Sequence, residues 1–274
     1  MTQPAGVETS PRSGERASRC AFLGLSALLF AASAAATIVC CSSMPSMGRM
    51  PMPGEAAMSM AGMPAAEQPW PVVAASFLGM WVVMTPAMML PSLVPTLWRY
   101  REAMDRTDGV GPGWLAAFVG LGYFAVWFGF GATAFPLGAA LAVAEMREAA
   151  LAGAVPLAAG VLVLLAGCFQ LTTAKAHHLA RCREAPGFGR TLPDGASSAW
   201  RHGLRLGLHC VRCCTGLVVV LLVIGVADLR AMAVVAAAIT AERLAPAGER
   251  VARATGVIVI AAGLFAIARA AGLG

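Results

Sequence analysis

The chain has 274 residues, of which 58% are hydrophobic and 12% charged, and a formal net charge of +6. Soluble domains carry roughly 25% charged residues, so this composition, with a mean hydropathy of +0.73, excludes an ordinary soluble protein and describes one that lives in a lipid bilayer. The basic excess accompanies no nucleic-acid-binding motif and suits loops that face anionic lipid headgroups, so nucleic acid is set aside as a partner.

Seven apolar segments follow one another, at about 21–41, 71–92, 114–137, 151–172, 207–227, 231–247 and 254–271. Most are near twenty residues, enough for a helix to cross the roughly 30 Å hydrocarbon core. None shows sustained apolar–polar alternation, so strands are not expected. The predicted fold is an all-α, polytopic helical membrane bundle of about seven transmembrane helices with the N-terminus inside. In that topology fifteen of the twenty Lys and Arg residues fall in inner segments, in keeping with the positive-inside rule.

Residues 1–20 are polar and read as a disordered cytoplasmic N-terminus. Residues 21–41 are a first transmembrane helix or an uncleaved signal anchor. Arg12, Arg16 and Arg19 followed by Ala21–Val39 also have the layout of a cleavable signal peptide, which would leave the later orientations unchanged. Residues 42–69 then form an outer loop holding Met44, Met47, Met50, Met52, Met58, Met60 and Met63. Pairs two or three residues apart let a flexible chain offer several thioethers to one ion, and soft ligands select Cu(I). A Pro- and Gly-rich loop has no core to fill, so metal capture is the sharper reading and an apolar linker the plain one.

Residues 70–274 read as a metal-binding membrane domain with six helices. In its first segment Met80, Met84 and Met88 recur at i, i+4 and i+8, with Met89 beside them. Such side chains stack about 6 Å apart on one face. Met84 and Met88 could pass a soft ion through the bundle, although flexible methionines also fill cores. Residues 99–113 and 175–204 are charged inner loops, the second punctuated by Pro186, Gly187, Gly189, Pro193 and Gly195. Gln170 lies inside an apolar segment and needs a partner, as does Glu242. The sixth segment is short, because eleven residues separate Arg230 from Glu242. Arg230 and Arg243 are expected to snorkel outward from it.

The inner side carries the chemistry. His178 and Cys182 are spaced i, i+4 at the predicted end of the fourth helix, and Cys210, Cys213 and Cys214 are spaced i, i+3, i+4 at the predicted start of the fifth. Each set faces one way, and the loop between them can bring the two faces together into a trigonal or tetrahedral soft-metal site. Lys175, Arg181, Arg183, Arg205 and Arg212 would favour thiolates over thiols. A disulfide is the main rival, but the reducing cytosol argues against it, and small helix-packing residues are the plain alternative. His177, His202 and His209 are weaker candidates; His209 shares a face with Cys213 and could replace a ligand, with capping of an interface as the plain alternative. Cys20, Cys40, Cys41 and Cys168 read as packing residues. No nucleotide loop, metalloprotease motif or nucleophile–base pair is visible, so no enzyme is expected.

Four motifs occur in order: Met80-Trp81-x-x-Met84-x-x-Ala87-Met88-Met89-x-Pro91-Ser92-x-x-Pro95, Gln170-x4-Lys175, Cys182-Arg183-x-x-Pro186, and Gly207-x-x-Cys210-x-x-Cys213-Cys214. Together they resemble the bacterial family called domain of unknown function 2182. That resemblance implies a metal-binding integral protein of the bacterial inner membrane. The family usually has Cys three residues after the Lys, where this chain has His178, and Trp after the double Cys, where this chain has Thr215. By analogy alone the arrangement also resembles eukaryotic copper-uptake transporters, which join outer Met motifs, an intramembrane MxxxM and an inner Cys/His site. The expected function is binding of a soft ion, Cu(I) first and Zn(II) as the alternative, in copper uptake or homeostasis. The competing reading is a non-transporting metallochaperone, sensor or assembly factor. The expected partners are the lipid bilayer, the metal ion and a soluble or membrane metallochaperone.

Overall fold

A computed structural model describes residues 11–43, 69–105, 112–147, 149–183 and 195–272. Among them run eight helices and no strand: α1 (Pro11–Ser43), α2 (Trp70–Asp105), α3 (Pro112–Arg147), α4 (Ala149–Gln170), α5 (Thr173–Arg183), α6 (Ala196–Ile224), α7 (Leu229–Leu244) and α8 (Gly248–Ala270). Six of these, all but α5 and α7, are long and apolar enough to cross a membrane. Leu28, Leu137, Leu165, Ile258 and Phe265 remain more than half exposed on their outer faces, as side chains that meet lipid do. The expected sixth span is α7, whose 16 residues rise only about 24 Å.

Three helix boundaries differ from the hydropathy reading. First, α2 continues through Pro86, Pro91 and Pro95 to Asp105. Prolines are tolerated in membrane helices where neighbours and hydroxyls re-satisfy the backbone, and Thr85 and Ser92 donate back to the carbonyls of Trp81 and Met89. Second, the fourth segment breaks. The amides of Leu171 and Thr172 bond to the carbonyls of Cys168 and Phe169 at 3.0 and 3.1 Å, which tightens the last turn of α4. Thr172 Oγ1 then accepts the Lys175 amide at 3.2 Å, as an N-cap does for a new helix. Third, α6 begins at Ala196, well before its apolar stretch, because Arg201, His202 and Arg205 are already helical. Cys210 therefore lies about 21 Å along α6, in mid-helix rather than at its start.

Bare backbones set the position of α6. A Cβ on Gly203 would fall 2.2 Å from the Val119 carbonyl oxygen of α3, and one on Gly216 would fall 3.1 Å from that of Ala166 in α4. Membrane helices lack a hydrophobic drive toward one another and associate through such close approaches. On the outside, α1 packs on α2, with Phe22 against Trp98 at 5.5 Å between ring centroids and Arg101 donating to Ser18 Oγ at 2.6 Å. The buried core is drawn chiefly from α2, α3, α6 and α7, and the thiol face of α6 points into it.

Candidate metal centre

Cys210, Cys213 and Cys214 are each at most 1% exposed. Their sulphurs lie within 4.8 Å of one another, with Cys210–Cys214 at 3.7 Å and Cys213–Cys214 at 3.5 Å. The short helix α5 adds Cys182, whose Sγ donates to Cys213 Sγ at 3.5 Å. All four are free thiols. That bond to Cys213, together with burial, pushes the Cys182 thiol well up from its ordinary value. An ion bonded to sulphur at about 2.3 Å holds tetrahedral ligands about 3.8 Å apart. The spacing of Cys210, Cys213 and Cys214 fits one ion, and the all-sulphur set fits a soft one; Cys182 lies outside that tight group and reaches it through Cys213.

Charge surrounds the sulphurs. Lys175, 1% exposed, places Nζ 2.6 Å from Glu242 Oε2 and donates to the Cys213 carbonyl. Gln170 Nε2 donates to Glu242 Oε1 at 2.9 Å, so the two polar groups expected to need partners meet each other, with Gln170 Oε1 left without a hydrogen-bond partner. The break between α4 and α5 makes this possible, since Gln170 closes one helix and Lys175 sits in the first turn of the next. Arg183 holds the α7–α8 junction by donating to the carbonyls of Glu242 and Ala245.

Arg243 is the largest departure from the sequence reading. It does not snorkel: it is 5% exposed and turned inward. Its Nη1 donates to Ser92 Oγ at 2.9 Å, Cys210 Sγ at 3.4 Å and Tyr123 OH at 3.5 Å. Tyr123 OH lies 3.0 Å from Cys210 Sγ. Arg181, Arg205 and Arg212, expected to favour thiolates, are exposed. The cations beside the thiols are Arg243 and Lys175. Only an odd sequence feature pointed to the former, namely Glu242-Arg243 closing a short apolar run, and Tyr123 gave no signal.

The other candidates are less closely gathered. His178 is half-buried on α5 and its Nδ1 has no hydrogen-bond partner, as is also true of His209 Nδ1 on α6; neither belongs to the tight sulphur group. Met84 and Met88 are buried in α2, and so are Met80 and Met89. Met88 stands one turn before Ser92, which touches Arg243. Met44, Met47, Met50, Met52, Met58, Met60 and Met63 lie outside the described residues. Cys20 and Cys168 are exposed, and Cys40 and Cys41 are half-buried.

No curated protein and no solved structure matches the chain. A family model does match, over residues 78–266, and its description is PpoB2, copper chaperone. The match takes in every cysteine of the buried cluster and leaves out the methionine-rich loop. It carries a copper label in place of the domain-of-unknown-function label expected from the motifs. Because it spans more than half of the sequence, the chain belongs to the PpoB2 family of copper chaperones.

Proposed function

We propose that the protein is a membrane-embedded chaperone that holds one Cu(I) ion on Cys210, Cys213, Cys214 and Cys182 and passes it to a partner protein. One observation carries this reading: three buried sulphurs of α6 converge at the spacing of ligands around one ion, with Cys182 of α5 3.5 Å from one of them and a buried Arg and Lys beside them. Thiolate-bound Cu(I) is released by ligand exchange, in which an incoming thiolate replaces an outgoing one and no substrate bond is broken. His178, one turn before Cys182, is placed to serve as an exchange ligand. The positive-inside bias supports an inner-membrane protein with its N-terminus and the mouth of the thiol site on the cytoplasmic side.

Copper uptake is the second reading. It is favoured by the buried stripe of Met84 and Met88 on α2 and by the seven methionines between Met44 and Met63. On this reading the loop captures the ion, the stripe conducts it and the thiols receive it.

Metal analysis of protein purified from copper-supplemented cells tests the site. Wild type should carry copper in a fixed ratio to protein, and the Cys213→Ser/Cys214→Ser variant should carry almost none. Wild-type copper content in that variant would remove the site, and zinc in place of copper would overturn the choice of metal. A peptide spanning Met44–Met63 should bind Ag(I) in preference to Zn(II), since thioethers discriminate by softness.

A further inference from the structure

Among the described residues, three buried side chains carry full charges: Lys175, Glu242 and Arg243. Lys175 and Glu242 cancel each other across 2.6 Å. The guanidinium of Arg243 is left as a net positive charge, and it does not deprotonate in proteins. Ser92 and Tyr123 offer it only hydroxyl oxygens, and its Nη2 has no hydrogen-bond partner. An isolated buried cation is strongly unfavourable. The group in reach that can carry negative charge as part of the metal site is Cys210 Sγ, at 3.4 Å.

We infer that Arg243 is a specificity-determining residue, which sets the site to prefer a monovalent soft ion over a divalent one. The inference rests on the reading of the cysteines as a metal site and adds to it the origin of the ion's preferred charge. A fixed cation repels a bound ion in proportion to that ion's charge. Its attraction for the thiolates is the same whichever ion they hold. Two thiolates around a monovalent ion make a centre of net charge −1, which Arg243 neutralises. Two thiolates around a divalent ion make a neutral centre and leave Arg243 without a counter-charge. A divalent ion reaches the same balance only if a third cysteine of the cluster also gives up its proton. The Lys175–Glu242 pair does not alter this count while it is intact. Removing Arg243 should therefore weaken binding of the monovalent ion and leave that of the divalent one little changed, which lowers the preference.

The test is competition between Ag(I) and Zn(II) for the purified full chain in detergent, read as the ratio of their affinities. Arg243→Met should lower the Ag(I)/Zn(II) ratio by at least about tenfold, and Arg243→Lys, which keeps the charge, should leave it within about threefold. Glu242→Gln, which makes the buried charge more positive, should raise the ratio. An unchanged ratio in Arg243→Met overturns the role of Arg243 and leaves the thiol site standing. If Arg243→Met does not fold, the Glu242→Gln result decides, since an unchanged or lowered ratio there overturns the inference equally. Failure of the wild-type chain to bind Ag(I) at all would overturn the metal-site reading itself.

Discussion

Two sulphur-rich regions lie within one buried core and keep different company. The methionines of α2 share their helix with Phe77 and Trp81, and the apolar core with Trp127 and Phe130 of α3. The cysteines of α6 face a tyrosine hydroxyl, a serine hydroxyl through Arg243, and a Lys–Glu–Gln network. Thioethers among aromatic rings need no further reason to be there, because a methionine fills irregular space well. Ionisable groups inside a membrane protein are expensive and persist where they act. The difference separates the two kinds of sulphur more sharply than burial does, since both regions are almost fully enclosed.

The largest effect should come from splitting the ion pair behind the thiols. Lys175→Met leaves Glu242 buried with Gln170 alone, and breaking such a pair typically costs about 3–5 kcal/mol. Thermal unfolding in detergent should show that loss. Lys175→Met/Glu242→Met should recover most of it, because two apolar side chains replace two charges. The same double variant should bind Ag(I) more weakly than wild type, since Lys175 no longer anchors the Cys213 carbonyl. Full binding there would mean that the polar network is structural, and would erase the contrast with the methionines.

Next in size is the helix contact that positions the thiol face. A Cβ at Gly203 meets the Val119 carbonyl oxygen at 2.2 Å, whereas one at Gly129 meets nothing within 4 Å. Gly203→Ala should destabilise by about 1–3 kcal/mol through overpacking and should loosen metal binding as α6 moves from α3. Gly129→Ala should be neutral or slightly stabilising. Equal unfolding temperatures for the two variants would show that α6 is not held by that contact.

These contrasts mark how far the residues could be read without coordinates. The helical class and most spans were legible because apolar length is a property of sequence alone. The common face of Cys210, Cys213 and Cys214 was legible because i, i+3 and i+4 spacings survive any tertiary arrangement. The break at Leu171–Thr172 was hidden: its cause is a single cap by Thr172 and a tightened turn, and hydropathy runs smoothly across it. The inward turn of Arg243 was hidden for a related reason. Snorkelling and burial begin from the same sequence, and only the meeting of Ser92, Tyr123 and Cys210 from three other helices decides between them. The depth of the cysteines in α6 is hidden from hydropathy because the helix runs through a polar stretch back to Ala196.

A smaller effect is expected at Tyr123. Its hydroxyl lies 3.0 Å from Cys210 Sγ and takes a bond from Arg243. Tyr123→Phe removes the hydroxyl from both contacts, of which the shorter, to Cys210 Sγ, is worth about 0.5–1.5 kcal/mol net, and keeps the ring that stands edge-on to Phe124 at 5.2 Å. Ag(I) affinity should fall by roughly tenfold or less, with little change in unfolding temperature. A loss confined to stability would place the hydroxyl with the packing of α3 rather than with the thiol site.

The smallest effect on the fold, and the one that tests the other half of the contrast, belongs to the methionine stripe. Leu and Met are close in volume, so Met84→Leu and Met88→Leu should each cost under about 1.5 kcal/mol. Met84 and Met88 are 2% and 4% exposed, and Met89 is 1% exposed, so burial does not distinguish the stripe from its neighbour. Direction does: Met89 is displaced about 100° around the helix from Met88, and Met89→Leu is therefore the control for volume and burial together. Copper movement into vesicles, compared at matched protein levels, separates the readings. If α2 conducts the ion, the Met84→Leu/Met88→Leu variant should lose transport while Met89→Leu keeps it, because a hydrocarbon side chain offers no ligand to a soft cation. If transport is equal in both, the methionines are packing. The thiol centre then stands alone as the chemistry of the bundle, with the ion exchanged through α5 and Cys182 rather than drawn along α2.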